Sequence, residues 1–248
     1  MNPRSSTLFH FTRGIDALKA ILVEGFWPRY CLEDFSWYNT EIGHIAYPMV
    51  CFCDIPLSRI NQHVAFYGEY GLGMSLEWGR KNGLNPVVYL SSTSPLTTSV
   101  RNVLTNIRPN TETHYYNGAN DTNHIISYIK PLEGWLPILS SVPPPPVPKQ
   151  FYQENEWRYV PNNAPVVPWV RRVDLDVNDN REQFNTQTKQ HCMLRFEPSD
   201  VKYIFLRSDS EIPELVDYIN SELGDCTVAD MKILSSRIVS LESIRNDL

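Results

Sequence analysis

The chain has no run of about 18 apolar residues, which excludes a helical membrane span. Met1 to Thr7 also lacks the apolar stretch of a signal peptide, so a cytoplasmic protein is expected. Positive charge is short as well: 22 Lys and Arg stand against 28 Asp and Glu, and the resulting net charge of −6 repels a phosphate backbone. Bulk nucleic-acid binding is therefore not expected, and a DNA-binding autoregulator is further disfavoured because no helix-turn-helix spacing is visible. Cysteine is sparse and odd in number, with Cys31, Cys51, Cys53, Cys192 and Cys226 in a chain too long to need a disulfide framework. They are expected to be free thiols in a reducing compartment. Cys51 and Cys53 share one strand face, but no second cysteine pair follows and the six histidines are scattered, so no metal site is expected. The G-x-x-x-x-G-K-[ST] loop, G-x-G-x-x-G after a strand, the G-x-S-x-G elbow and the H-E-x-x-H helix are all missing. The usual nucleotide-fold, hydrolase and metalloprotease readings go with them.

What is present is enough apolar content, 42%, to bury a core in a single domain spanning residues 1–248. Leu8 to Phe11 reads as a strand, and Ile15, Leu18, Ile21 and Leu22 continue at helical spacing until Gly25. Trp27 to Tyr47 keeps no period and is expected to be a surface loop. Tyr47 to Cys53 is strand-like, and Asp54 with Pro56 opens a helix on which Leu57, Ile60, Val64 and Tyr67 recur. Gly68, Gly71 and Gly73 are expected to break that helix, with strands at Met74–Glu77 and Pro86–Leu90 beyond. Residues 91–150 form an irregular insertion, with helices predicted from Leu96 to Ile107 and from Asn123 to Ile129 and a Pro-rich spacer at 142–148. Further strands are predicted at Glu156–Val160, Met193–Phe196, Tyr203–Leu206 and Arg237–Leu241, a helix at Ile212–Leu223, a short terminal helix, and a loop over Asp174–Lys189. Short strands without strict alternation with helices indicate an α+β fold.

Three polar motifs carry the candidate chemistry. His10 lies on the strand face opposite Phe9 and Phe11, facing either a cleft or a core in which a backbone group satisfies it. Thr12 is placed to cap the following helix. Tyr67 and Tyr70 come at the end of the second helix beside glycines that let a flat ligand approach, although Tyr67 equally completes the apolar stripe of Ile60 and Val64. Glu154, Glu156 and Arg158 share one strand face, with Trp157 opposite. Two close carboxylates raise the proton affinity of one of them unless Arg158 offsets it, so the pair suits acid/base work; an exposed, solvated E-x-E is the plainer reading.

Leu8-Phe9-His10-Phe11-Thr12, the helix ending from Leu18 to Gly25, Tyr47 to Pro56, Tyr67-Gly68-Glu69-Tyr70-Gly71 and Glu156-Trp157-Arg158 together resemble the bacterial AbiGi family. The resemblance continues through Leu194-Arg195-Phe196 and Asp200 to Ile204 as far as the Ser240-to-Asp247 ending. That family is named for abortive infection, a phage-defence setting, and is usually labelled the antitoxin member of a pair. The resemblance implies a cognate toxin or phage protein as partner. The H-F-T opening, the aromatic helix and the closing E-W-R also resemble bacterial domains of the ADP-ribosyltransferase fold. This second resemblance implies a split, twisted sheet flanked by helices that binds NAD as substrate. It implies catalytic roles for His10 and Glu156 and an NAD site of Phe11, Thr12, Tyr67, Tyr70 and Arg158. His10 with Thr12 would hold the ribose and amide, Tyr67 would stack on nicotinamide, and Arg158 would hold Glu156 ionised or bind a phosphate. The glycosidic bond would break through an oxocarbenium-like state and ADP-ribose pass to a macromolecular acceptor. The rival from another class is a catalytically silent antitoxin or sensor that binds a partner protein, since fold does not establish reaction. The chain departs from better-known transferases in the loosely patterned stretch from Ser91 to Gln150.

Overall fold

The computed structural model describes residues 6–106, 121–136, 147–162, 165–177, 179–224 and 226–247. It is a mixed α and β structure, and its contacts form two compact units that interleave along the chain. The first unit takes Met1–Trp27, Val50–Asn85 and Met193–Leu248; the second takes Pro28–Met49 and Pro86–Cys192.

In the first unit, strands Val201–Leu206, Tyr70–Ser75 and Thr7–Thr12 lie side by side and antiparallel, with Phe9 also paired to Cys53. Ile238–Ser240 adds a parallel edge, which makes the sheet mixed. The Thr7–Thr12 strand is covered on both faces. Phe9 and Phe11 pack with Phe205, Ile60, Val64 and Leu241 on one side. His10 meets Phe26 and Phe52 on the other, where Trp78 also packs. Burying each such aromatic or branched side chain contributes about 1.5–3 kcal/mol. The helix Ile15–Glu24 buries Leu18 and Leu22 one turn apart and ends at Gly25, as its spacing predicts.

Four expectations for this unit need correction. Thr12 does not cap that helix: it is the last strand residue, opposite Tyr70, and Gly14 occupies the cap position without a side-chain bond. Gly71 and Gly73 lie within the Tyr70–Ser75 strand rather than after a helix end. A Cβ at Gly71 would come within 2.7 Å of the Phe11 ring, and one at Gly73 within 3.0 Å of the Phe9 ring, so these glycines make room for core phenyl groups. Of the expected strand Met74–Glu77, Met74 and Ser75 end a strand, but Leu76 and Glu77 begin a helix, Leu76–Lys81, because the Ser75 hydroxyl accepts from the Trp78 N–H and caps it. Near Met193–Phe196 there is a single bridge, Leu194 to Phe26. The helix Val228–Ser235, not foreseen, opens on a capping box between Thr227 and Asp230. Ile212–Glu222, Ile238–Ser240 and Leu241–Asp247 stand close to their predicted spans.

In the second unit the expected loop from Trp27 to Tyr47 contains an antiparallel pair, Arg29–Asp34 against the start of the His44–Cys53 strand, in register from Arg29↔Met49 to Asp34↔His44. The apolar period is invisible because the two faces differ in kind. Tyr30 packs with Ala46, Val170 and Leu175, while Glu33 on the other face enters an ionic cluster. The predicted loop over Asp174–Lys189 is likewise helical, as Arg172–Leu175 and Asn180–His191. Apart from Phe184, which packs on Tyr30, the inward face of the longer helix is polar: Asn185 accepts from the Tyr30 N–H and the Thr188 hydroxyl donates to the Pro28 carbonyl. A hydrophobic stripe was never needed. Helices at Pro95–Asn106 and residues 121–127, the parallel pair Val88–Leu90 and Ile129–Pro131, and the hairpin Gly134–Leu136 with Val147–Lys149 complete the unit. Pro143–Pro146 and Ile107 lie outside the described residues. Among the described residues no helix is long and apolar enough to cross a membrane.

Candidate functional site

The Glu154-to-Arg158 segment is built by a sharp local turn. A 3-10 helix, Phe151–Glu154, ends at Asn155, whose φ of 43° is left-handed, and the strand Glu156–Tyr159 starts immediately after. The two glutamates therefore converge through this turn and not, as expected, by alternation along one strand. Asn is among the few residues that tolerate such a backbone. Glu156 and Arg158 point inward and are 4% and 0% exposed, which decides their chemistry.

Both carboxylate oxygens of Glu156 are taken. Arg158 Nε donates to Oε1 at 2.6 Å and Lys130 Nζ to Oε2 at 2.5 Å. Its own N–H donates to the Tyr89 hydroxyl at 2.8 Å. Lys130 also reaches Glu154 at 3.5 Å, Lys149 pairs with Glu154, and Arg158 Nη2 donates to Glu33 at 2.8 Å. Arg158 Nη1 closes the set by donating to the Ser127 carbonyl at 2.6 Å. Three carboxylates, Glu33, Glu154 and Glu156, thus face three cations, Lys130, Lys149 and Arg158, and the formal sum is zero. Lys130 also stands over the Phe151 ring at 4.5 Å.

This neutrality sets the protonation states. Burial works to raise the Glu156 pKa, but the charges and hydrogen bonds of Arg158 and Lys130 outweigh it and hold the carboxyl well below the usual range. Glu154 is lowered in the same way by Lys130 and Lys149 against its own burial. Lys130 is buried yet raised, because Glu156, Glu33 and Glu154 surround it. At Lys149 burial wins over Glu154 and the pKa falls. Glu156 is an ionised acceptor at neutral pH with a cation on each of its oxygens, and each of the three guanidinium nitrogens of Arg158 already donates to a protein group. Cys31, beside this cluster, is pushed up to about 11 by burial and then by Glu33.

The other predicted site residues belong to the first unit. His10 Nδ1 lies 2.8 Å from the Cys51 carbonyl, and since a carbonyl only accepts, that nitrogen carries the proton. Burial lowers the His10 pKa against the opposing effect of this bond, so the ring is neutral at pH 7. Phe11 is a core residue, 5.7 Å from the His63 ring and 5.3 Å from Phe205. Tyr67 packs on that same side, its ring 4.5 Å from His63, so His10 and Tyr67 occupy opposite faces of one sheet. Tyr70 is a buried strand residue whose hydroxyl donates to Glu211 at 2.7 Å; burial, then Glu211, push it up to about 12. The structure brings Glu154, Glu156 and Arg158 together, and Phe11 with Tyr67. It adds Glu33, Lys130, Lys149 and Tyr89, which no motif marked. The five cysteines are free, and among the described residues no group of three or more His, Cys, Asp or Glu is placed to hold a metal ion.

Residues 24–207 match a family model described as "Putative abortive phage resistance protein AbiGi, antitoxin". The chain belongs to the AbiGi family. It is 29% identical over 246 residues to the abortive phage resistance protein AbiGi of Lactococcus lactis subsp. cremoris, an alignment that covers 90% of this chain and 99% of that relative. No solved structure matches it. The AbiGi match contains the whole ionic cluster and the Tyr67 and Tyr70 segment, whereas the His10 strand precedes it.

Proposed function

We propose that this AbiGi-family chain acts in phage defence as an antitoxin-type binding protein that engages a partner protein without turning NAD over. The observation that carries the reading is the state of Glu156. A transferase carboxylate must offer an oxygen to a ribose hydroxyl or accept a proton from the acceptor, and here Arg158 and Lys130 hold both oxygens. His10 is also committed to Cys51 inside a core. The antitoxin description of the matching family supports the same reading. The second reading, transfer of ADP-ribose from NAD to a macromolecule, rests on the convergence of Glu154, Glu156 and Arg158. Incubating the purified chain with NAD and cell lysate, and measuring nicotinamide release, separates the two. The binding reading expects no release above background and intact phage defence; release that Glu156→Gln abolishes would overturn it.

A further inference from the structure

We propose that Trp37 and Arg101 form a contact point for a carboxylate carried by the partner protein, a step that rests on the partner-binding reading above. Arg101 is the only charged residue of the helix Pro95–Asn106. That helix buries Thr97 and Leu104, and Arg101, next to this face, sends Nη2 to the Trp37 carbonyl. Arg101 Nε and Trp37 Nε1 are both shielded from water, and among the described residues neither has a hydrogen-bond partner. Each is a donor that cannot accept, so no rotation of its neighbours can satisfy it without an acceptor. Buried donors of this kind are costly and rare.

Among the described residues, no neighbouring group supplies that acceptor. No carboxylate among the described residues forms an ion pair with Arg101. Asp34, close in sequence to Trp37, accepts from the Ser36 N–H. The group that would satisfy one cationic and one neutral donor is an anionic oxygen, and a planar carboxylate suits the guanidinium edge. A phosphate polymer is disfavoured by the net charge of −6. The surroundings suit a protein contact: Trp37 packs edge-on to Tyr38 at 5.9 Å, and Tyr38 Oη lies 3.3 Å from Thr105 Oγ1. Trp, Tyr and Arg are the residues on which binding energy at protein interfaces concentrates. Both donors are closed to water, so the partner reaches them through a side-chain rotamer change, a kind common on binding.

The test uses two variants of the full chain: Trp37→Phe removes one orphaned donor and keeps an aromatic ring, and Arg101→Lys removes the other while keeping a charged nitrogen to donate to the Trp37 carbonyl in place of Nη2. Cells carrying each form are challenged with phage, and the purified proteins are melted. Removing an unsatisfied donor should leave the melting temperature within about 2 °C of the unmutated chain. Loss of a central contact weakens a protein complex by roughly thirtyfold, so phage plating should rise towards that on unprotected cells. Protection by either variant equal to that of the unmutated chain overturns the proposal. So does loss of protection accompanied by a larger fall in melting temperature, which would make the pair structural. Nicotinamide release by the unmutated chain, assayed on the same preparations, would instead overturn the partner-binding reading.

Discussion

Replacing Glu156 by Gln separates a structural carboxylate from a catalytic one. In the folded protein the substitution removes one of three negative charges that balance Lys130, Lys149 and Arg158. It also removes two short charge-assisted bonds, at 2.6 and 2.5 Å, and can turn an amide N–H towards a cation. Site and charge are almost fully enclosed, Glu156 being 4% exposed. Breaking a buried ionic cluster by removing one partner costs about 3–5 kcal/mol, because the remaining charge stays desolvated and uncompensated. At about 2–4 °C per kcal/mol for a chain of this size, the melting temperature should fall by roughly 6–20 °C. Differential scanning calorimetry at pH 7 reads this directly. The double variant Glu156→Gln with Lys130→Met restores the charge balance and should recover at least about 1 kcal/mol of the loss. A catalytic carboxylate held for function gives the opposite result, since neutralising one is often neutral or stabilising. Melting of Glu156→Gln within about 2 °C of the unmutated chain would refute the structural account.

Acid should act on the same cluster. Glu154 and Glu156 have folded pKa values below their unfolded value of about 4.3. Their stabilisation is therefore complete above that value and is lost as pH falls below it towards the folded values. Urea midpoints measured from pH 6 down to pH 3 should drop, with a shallower dependence in Glu156→Gln; equal slopes would exclude Glu156 as a source. His10→Ala should cost about 2–4 kcal/mol, from the lost packing against Phe26 and Phe52 and from the orphaned Cys51 carbonyl, as read by guanidinium denaturation. A cost below about 1 kcal/mol would mean that His10 is not a core residue. Gly68→Ala should cost about 2–4 kcal/mol in the same assay, because φ is 113° there and a Cβ would come within 2.2 Å of the Thr12 carbonyl. Unchanged stability would show that the turn relaxes freely.

The parts of the fold legible in the sequence are those whose burial follows a single rule. The helix Ile15–Glu24 buries Leu18 and Leu22 and stops at a glycine, and Val201–Leu206 hides Ile204, Phe205 and Leu206. Where a different rule operates the pattern fails. The Asn180–His191 helix buries Asn185 and Thr188 because its contacts are hydrogen bonds to the Tyr30 N–H and the Pro28 carbonyl. A search for apolar spacing meets a single apolar residue there, Phe184, and a loop is the natural expectation. The glycines at 71 and 73 misled for a related reason: local reasoning takes glycine as a break, whereas here it is small size, opposite Phe11 and Phe9, that the sheet requires.

The candidate site shows the same division more sharply. Glu156-Trp157-Arg158 was visible as a motif, and its inward face follows from strand alternation. Its chemical state does not follow from any local feature, because the groups that fix it are remote: Lys130 is 26 residues from Glu156 and Glu33 is 125 from Arg158. Two carboxylates with one arginine leave an excess negative charge that favours a raised pKa, the condition for acid/base work. Two buried lysines reverse that sign. The lysines were legible as residues but not as partners, since one sits in a three-residue strand and the other at the end of a hairpin, outside any recognisable spacing. A short motif can therefore nominate a carboxylate, but whether the carboxylate can take a proton at pH 7 is decided by the cations that long-range folding brings to it. For Glu156 those cations occupy both oxygens, so the group reads as a buried ionic contact of the second unit.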